Sequence, residues 1–216
     1  MDEHFDFDSG FAGASARREG ERRRHNREQW TRARHPRIGW LLLALQKEPQ
    51  HERSWGSGAD GEAAVARGLA KRCPPPVVLL DDRGMPGSRA NIDHIAVAPT
   101  GIWVIDAKNH KGKVEVRTPL FGRAKLRING RDQTKLADGL GKQVAAVEAV
   151  VAGAAPVHGA FCFVRADMPL LRTLKFRGYP LLYRKKLAKK LNSRGSLSAE
   201  RIREVAALLA DRFPSA

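Results

Sequence analysis

From Val77 onward, short apolar runs alternate with turn residues. VVLLDD, residues 77–82, predicts a strand, and GMPGSRA after it predicts a loop. Residues 91–98 (NIDHIAVA) and 102–108 (IWVIDAK) alternate apolar and polar positions on either side of Pro99-Thr100-Gly101, the pattern of a β-hairpin. KVEVR (113–117), AKLRI (124–128), VHGAFCFV (157–164) and PLLY (180–183) predict four further strands. A helical period replaces the strand period over about 60–71, with Val65, Ala66 and Leu69 on its apolar face and CPPP (73–76) to stop it. A second helix spans roughly 133–152, striped by Leu136, Leu140, Val144, Val147 and Val151. RKKLAKKL predicts a basic helix. A last helix follows Ser198, an expected N-cap, and turns Ile202, Val205, Leu209 and Phe213 inward. This order predicts an α/β fold, α+β-like in arrangement, with a mixed central sheet flanked by helices.

The first third reads differently. Residues 1–16 have a disordered composition. Residues 17–37 hold nine arginines, no lysine and three glutamates, suited either to phosphate contact or to a solvated tail. IGWLLLAL (38–45) predicts a short docked helix or strand, and EPQHERSWGSG a loop. The resulting organisation is a flexible basic arm over 1–37, an apolar docking segment and loop over 38–56, a core over 57–165, and a C-terminal strand and helices over 166–216 packed on that core.

Composition narrows the partners. The 216 residues carry 39 Lys+Arg against 23 Asp+Glu, a net charge of +16, and 42% are hydrophobic. That is enough apolar material for a core, and a charge that suits a polyanion, nucleic acid before an anionic membrane surface touched through residues 17–45. Cys73 and Cys162 lack CxxC spacing, which speaks against a thiolate zinc site. The acidic start lacks an apolar signal core, and eight apolar residues cannot span a bilayer. The expected location is the cytoplasm, including the nucleoid.

The hairpin carries the candidate chemistry. Period two puts Asp93 with Ile95 and Val97, and Asp106 and Lys108 with Ile102 and Val104, so each aspartate sits on an apolar face. A carboxylate there is costly unless paired or bound to a cation. A two-residue Pro99-Thr100 loop sets Asp93 across from Asp106, whereas a type I turn with a glycine bulge sets it across from Ala107. Facing carboxylates favour a hard cation, Mg²⁺ or Mn²⁺, with Glu62 from the preceding helix as a third acid and His94 on the opposite face. The alternative is a structural ion pair of Asp106 with Lys108. Basic residues around the hairpin suit a nucleic-acid backbone: Arg83, Arg89, Lys111, Lys113, Arg117, Arg123, Lys125 and Arg127, with Lys185, Lys186, Lys189 and Lys190 further on.

The order glutamate on a helix, Asp in a strand and Asp-x-Lys in the next resembles the PD-(D/E)xK nucleases. More narrowly, GADGEAAVARGLA, the run from DDRGMPGSRANIDHIAV to GIWVIDAKNHKGKV, and GKQVAAVEAV resemble the nuclease-related domain (NERD) family over roughly 57–165. The resemblance implies a restriction-endonuclease-like core and a divalent-metal-dependent nuclease acting on DNA. By motif position it implies Glu62 as the helix acid, Asp93 and Asp106 as metal ligands with the Ala107 carbonyl between Asp106 and Lys108, Lys108 as the catalytic lysine, and Gln143 beside the site. Asn109 and His110 follow the motif as substrate contacts. Asp106 stands where relatives often have glutamate. The rival reading is a DNA-binding or DNA-repair accessory protein with the same fold and no turnover.

Overall fold

The computed structural model describes residues 8–36, 50–119 and 122–216. IGWLLLAL lies outside the described residues. Two helices come first, α1 (Ala14–Arg34) and α2 (Gln50–Ala70). The hairpin region follows as β1 (Val78–Gly84), β2 (Asn91–Ala98) and β3 (Gly101–Lys108), then β4 (Gly112–Arg117), β5 (Lys125–Ile128) and β6 (Arg131–Asp132). The remainder is α3 (Leu136–Val151), β7 (Val157–Phe163), β8 (Ala166–Asp167), β9 (Leu174–Phe176), β10 (Tyr179–Tyr183), α4 (Arg184–Leu191) and α5 (Ala199–Arg212).

Six strands form an open sheet in the order β1-β2-β3-β7-β10-β9. β1, β2 and β3 run antiparallel; β7 pairs parallel to β3, and β10 parallel to β7. A parallel neighbour needs a crossover, and α3 lies on the connection that returns the chain from β3 to β7. A smaller sheet, β6-β5-β4-β8, stands beside it. Two apolar layers sandwich the main sheet. Ile95, Val97, Ile102, Val104, Phe161 and Phe163 pack against the stripe of α3 and the Ile202–Phe213 face of α5. Ala96, Trp103, Ile105, Ala160 and Cys162 pack against Val65 and Leu69 of α2 and Leu187 and Leu191 of α4. Ser198 caps α5 by accepting from the Arg201 N–H.

Two expectations need correction. The loop expected through residue 58 is helical from Gln50, ten residues ahead of the expected start near Asp60. Gly56 and Gly58 each cost a helix about 1 kcal/mol, and packing of α1 against α2 outweighs that. The arm expected to be flexible is a 21-residue helix over Ala14–Arg34. It lacks an apolar stripe, burying Ala16 and Thr31, so periodicity does not reveal it. Polar contacts hold its start instead. Asp81 N–H donates to the Ser9 carbonyl at 2.7 Å, and Arg18 donates to the Ala216 carbonyl. Gly13 backs onto α2 so closely that a Cβ there would lie 2.8 Å from the Ala59 carbonyl oxygen.

Candidate functional site

Ala98 pairs with Gly101 and His94 with Ile105, so the hairpin takes the two-residue loop register. One step further along that register, Asp93 falls across from Asp106. Asp93 makes no ladder pair on either flank: β1 pairs Asp81 with His94 and then Arg83 with Ile92. Across the gap, Asp82 adopts a left-handed backbone with φ of 49°. The strands therefore loosen where the acids gather, and Asp93 Oδ2 accepts the Ala107 N–H at 2.8 Å.

Asp106 is buried, and Lys108 Nζ donates to its Oδ1. Burial pushes the Asp106 carboxyl up to about 6; Lys108 opposes the rise, and the neighbouring Asp93, which also shares a hydrogen bond with it, adds to it. Burial works against the Lys108 charge, but Asp106, Asp93 and Glu62 outweigh it and hold the ammonium above its ordinary value. Glu62 is 8% exposed and its Oε2 is buried with no hydrogen-bond partner. Burial, then the charges of Asp93 and Asp82, raise its carboxyl to about 8. Three buried or half-buried acids thus share the Lys108 cation.

Gly61 lets α2 deliver Glu62 to this end of the sheet. A Cβ at Gly61 would lie 2.6 Å from the Asn109 Cβ. Gly61→Ala is expected to destabilise the protein by about 1–3 kcal/mol through overpacking. Urea unfolding measures it, and an unchanged midpoint would mean that the helix has room to shift.

The other expected residues divide clearly. Glu62, Asp93 and Arg89 line one cleft of about 690 Å³, with Asn91 and the first half of α1. Gln143 Nε2 donates to the Asn91 carbonyl at 3.0 Å, which places it two residues from Asp93 with its own Oε1 buried and unpartnered. Asn109 spends its amide on structure: Nδ2 donates to the Ser57 carbonyl at 2.7 Å, and Oδ1 accepts from Arg165 Nε at 2.8 Å. His110 is half-buried, and burial followed by the Lys108 charge lowers its pKa. Lys111 is exposed, and Lys113 is exposed with Glu115 3.0 Å away. His94 is fully buried and bound to Asp81 at 2.7 Å, on the face away from Asp93 as alternation requires.

Arg83 is a correction. The expected phosphate contact is wholly buried, donating to Ser215 Oγ at 2.7 Å and to the Asp8 carbonyl at 2.6 Å. It ties both chain ends to β1 and is not available to a nucleic acid. Asp82 is the residue that sequence reasoning missed. Its carboxylate accepts from Ser15 N–H and Ser15 Oγ, both at 2.6 Å, and from Asn91 Nδ2 at 2.7 Å. The signal was the Asp81–Asp82 pair ending an apolar strand, a polar break on a core-facing run. Cys73 and Cys162 are buried free thiols, pushed by burial up to about 11 and about 12, so neither is a ready nucleophile.

An open mixed sheet flanked by helices, with acids and a lysine gathered at the end of adjacent strands, is an α/β core of the restriction-endonuclease-like kind. The nuclease-related domain matches residues 57–164, half of the chain, and the protein belongs to the NERD family. No curated protein and no solved structure matches the chain. Among the described residues, no three His, Cys, Asp or Glu side chains group closely enough to hold a metal ion, so the expected third ligand, Glu62, does not close a cluster with Asp93 and Asp106. No helix among the described residues is long and apolar enough to cross a membrane.

Proposed function

We propose that the protein hydrolyses phosphodiester bonds in DNA with the help of Mg²⁺ or Mn²⁺, at the site shared by Glu62, Asp93, Asp106 and Lys108. The observation that carries the reading is the hairpin register that sets Asp93 across from Asp106, with Lys108 Nζ donating to Asp106 and Asp93 accepting the Ala107 N–H. Magnesium commonly takes one or two carboxylates and keeps several waters, so a pair of protein ligands fits it. Asp93 and Asp106 would hold the ion, with the Ala107 carbonyl between Asp106 and Lys108 as a further donor. Such an ion supplies Lewis acidity at a phosphoryl oxygen and makes water a better nucleophile at neutral pH. Lys108 would place its ammonium against charge growing on the phosphate or orient the attacking water. Glu62 Oε2, buried without a partner, suits an acceptor for that water's proton, once the carboxyl ionises near pH 8, more than a direct ligand. Gln143 would steady the start of β2 through the Asn91 carbonyl.

One contact favours a second reading. The Lys108–Asp106 pair occupies an oxygen that a cation would need, as suits a DNA-binding or DNA-repair accessory protein that uses the fold without turnover. Cleavage of plasmid, linear and branched DNA, with Mg²⁺ or Mn²⁺ and with Asp106→Ala and Asp93→Ala alongside, separates the two. The nuclease reading expects cleavage that needs both the ion and both aspartates. DNA binding with no ion-dependent cleavage of any substrate would leave the accessory reading standing.

A further inference from the structure

We infer that α1, which lies outside the family-matched segment, is the second wall of the cleft and grips the nucleic-acid backbone through Arg22 and Arg23. The inference rests on reading the cleft as a phosphodiester site and adds a backbone-gripping element to it. Ser15, Glu19, Arg22 and Arg23 all line the cleft that Glu62 and Asp93 line. Positions 15, 19, 22 and 23 recur at helical spacing, so one face of α1 looks inward. That face is pinned beside the acids because Ser15 binds Asp82 through both its N–H and its hydroxyl.

The arginines are held as they would be on a phosphate. Arg22 Nε and Nη2 both donate to Glu19 Oε2, at 3.0 and 2.6 Å, and Arg23 Nε donates to Glu19 Oε1. One carboxylate aligns two guanidinium groups whose fork geometry also fits phosphate oxygens. Their side chains are 65% and 47% exposed, so a strand can reach them from solvent. Arg89, in the turn between β1 and β2, lines the same cleft. A backbone held by these arginines would bring a phosphate toward Asp93 and Glu62, which line it too.

The test is fluorescence anisotropy of a labelled oligothymidine on the full chain carrying Lys108→Ala, at fixed salt and without turnover. Adding Arg22→Glu and Arg23→Glu is expected to weaken binding by on the order of tenfold. The same charge change at Arg172 and Lys175, by the opposite edge of the main sheet, should cost less than about threefold. Glu19→Ala removes the competing carboxylate and should tighten binding by a few fold, a gain that misfolding cannot imitate. Equal losses from both charge reversals, or no gain from Glu19→Ala, would each overturn the inference. Because binding is read without cleavage, these outcomes stand apart from any failure to hydrolyse DNA.

Discussion

Lys108→Ala is expected to slow DNA cleavage by at least about a hundredfold, the usual cost of removing one preorganised charge from a transition state. The same substitution leaves Asp106 buried with Asp93 as its nearest acid and the balancing ammonium gone. Breaking a buried pair on one side costs about 3–5 kcal/mol when the remaining charge must stay ionised. Asp106 has an escape, since its carboxyl already sits near 6 and rises further without the lysine. A protonated Asp106 relieves the strain at pH 5.5 and cannot do so cheaply at pH 8. The loss of stability should therefore be small at the lower pH and large at the higher one. Thermal unfolding at the two values, together with single-turnover cleavage at pH 8, measures both effects. Cleavage within threefold of the parent would remove Lys108 from the chemistry, and pH-independent destabilisation would show that Asp106 does not depend on it.

The hairpin was legible because two periodicities agreed. Alternation set Asp93 and Asp106 on apolar faces, and a short Pro-Thr loop permitted the register in which they meet. The turn residues alone left two registers open, since Gly101 serves either, and its positive φ of 119° appears in the structure with the two-residue loop. Glu62 was legible from its place on the Val65–Leu69 face of α2 and from the family motif. What escaped lay where periodicity carries no information. α1 has a charged surface and almost no apolar stripe, so its role beside the cleft emerges only from Ser15, Glu19 and the arginines meeting Asp82, Arg89 and Asp93 in space. Arg83 misled for a related reason. An arginine at a strand end reads as exposed, and nothing local shows that Asp8 and Ser215, from the two ends of the chain, converge to bury it.

Glu62→Gln is expected to raise stability at alkaline pH while abolishing the proton-accepting role assigned to Glu62. The Glu62 carboxyl is raised from an ordinary 4.5 to about 8 in the folded protein, by burial first and by Asp93 next. Between those two values the unfolded chain has released a proton that the folded chain still holds. Stability then falls as pH rises, because the unfolded state binds fewer protons across that window. The contribution is fully present below about pH 4.5 and is lost as pH passes through about 8. At about 1.4 kcal/mol per tenfold in proton affinity, the whole loss is on the order of 5 kcal/mol. Glutamine keeps the shape, carries no charge at any pH, and removes this slope. Asp106 still titrates near 6, so a smaller decline between about 4 and 6 should survive in the variant. Urea unfolding from pH 5 to pH 9 compares the two curves. They should nearly coincide at pH 5 and separate by several kcal/mol at pH 9, with the variant above. Parallel curves would mean that Glu62 ionises freely in the folded protein, and the buried, acid-crowded setting that supports the nuclease reading would then be missing.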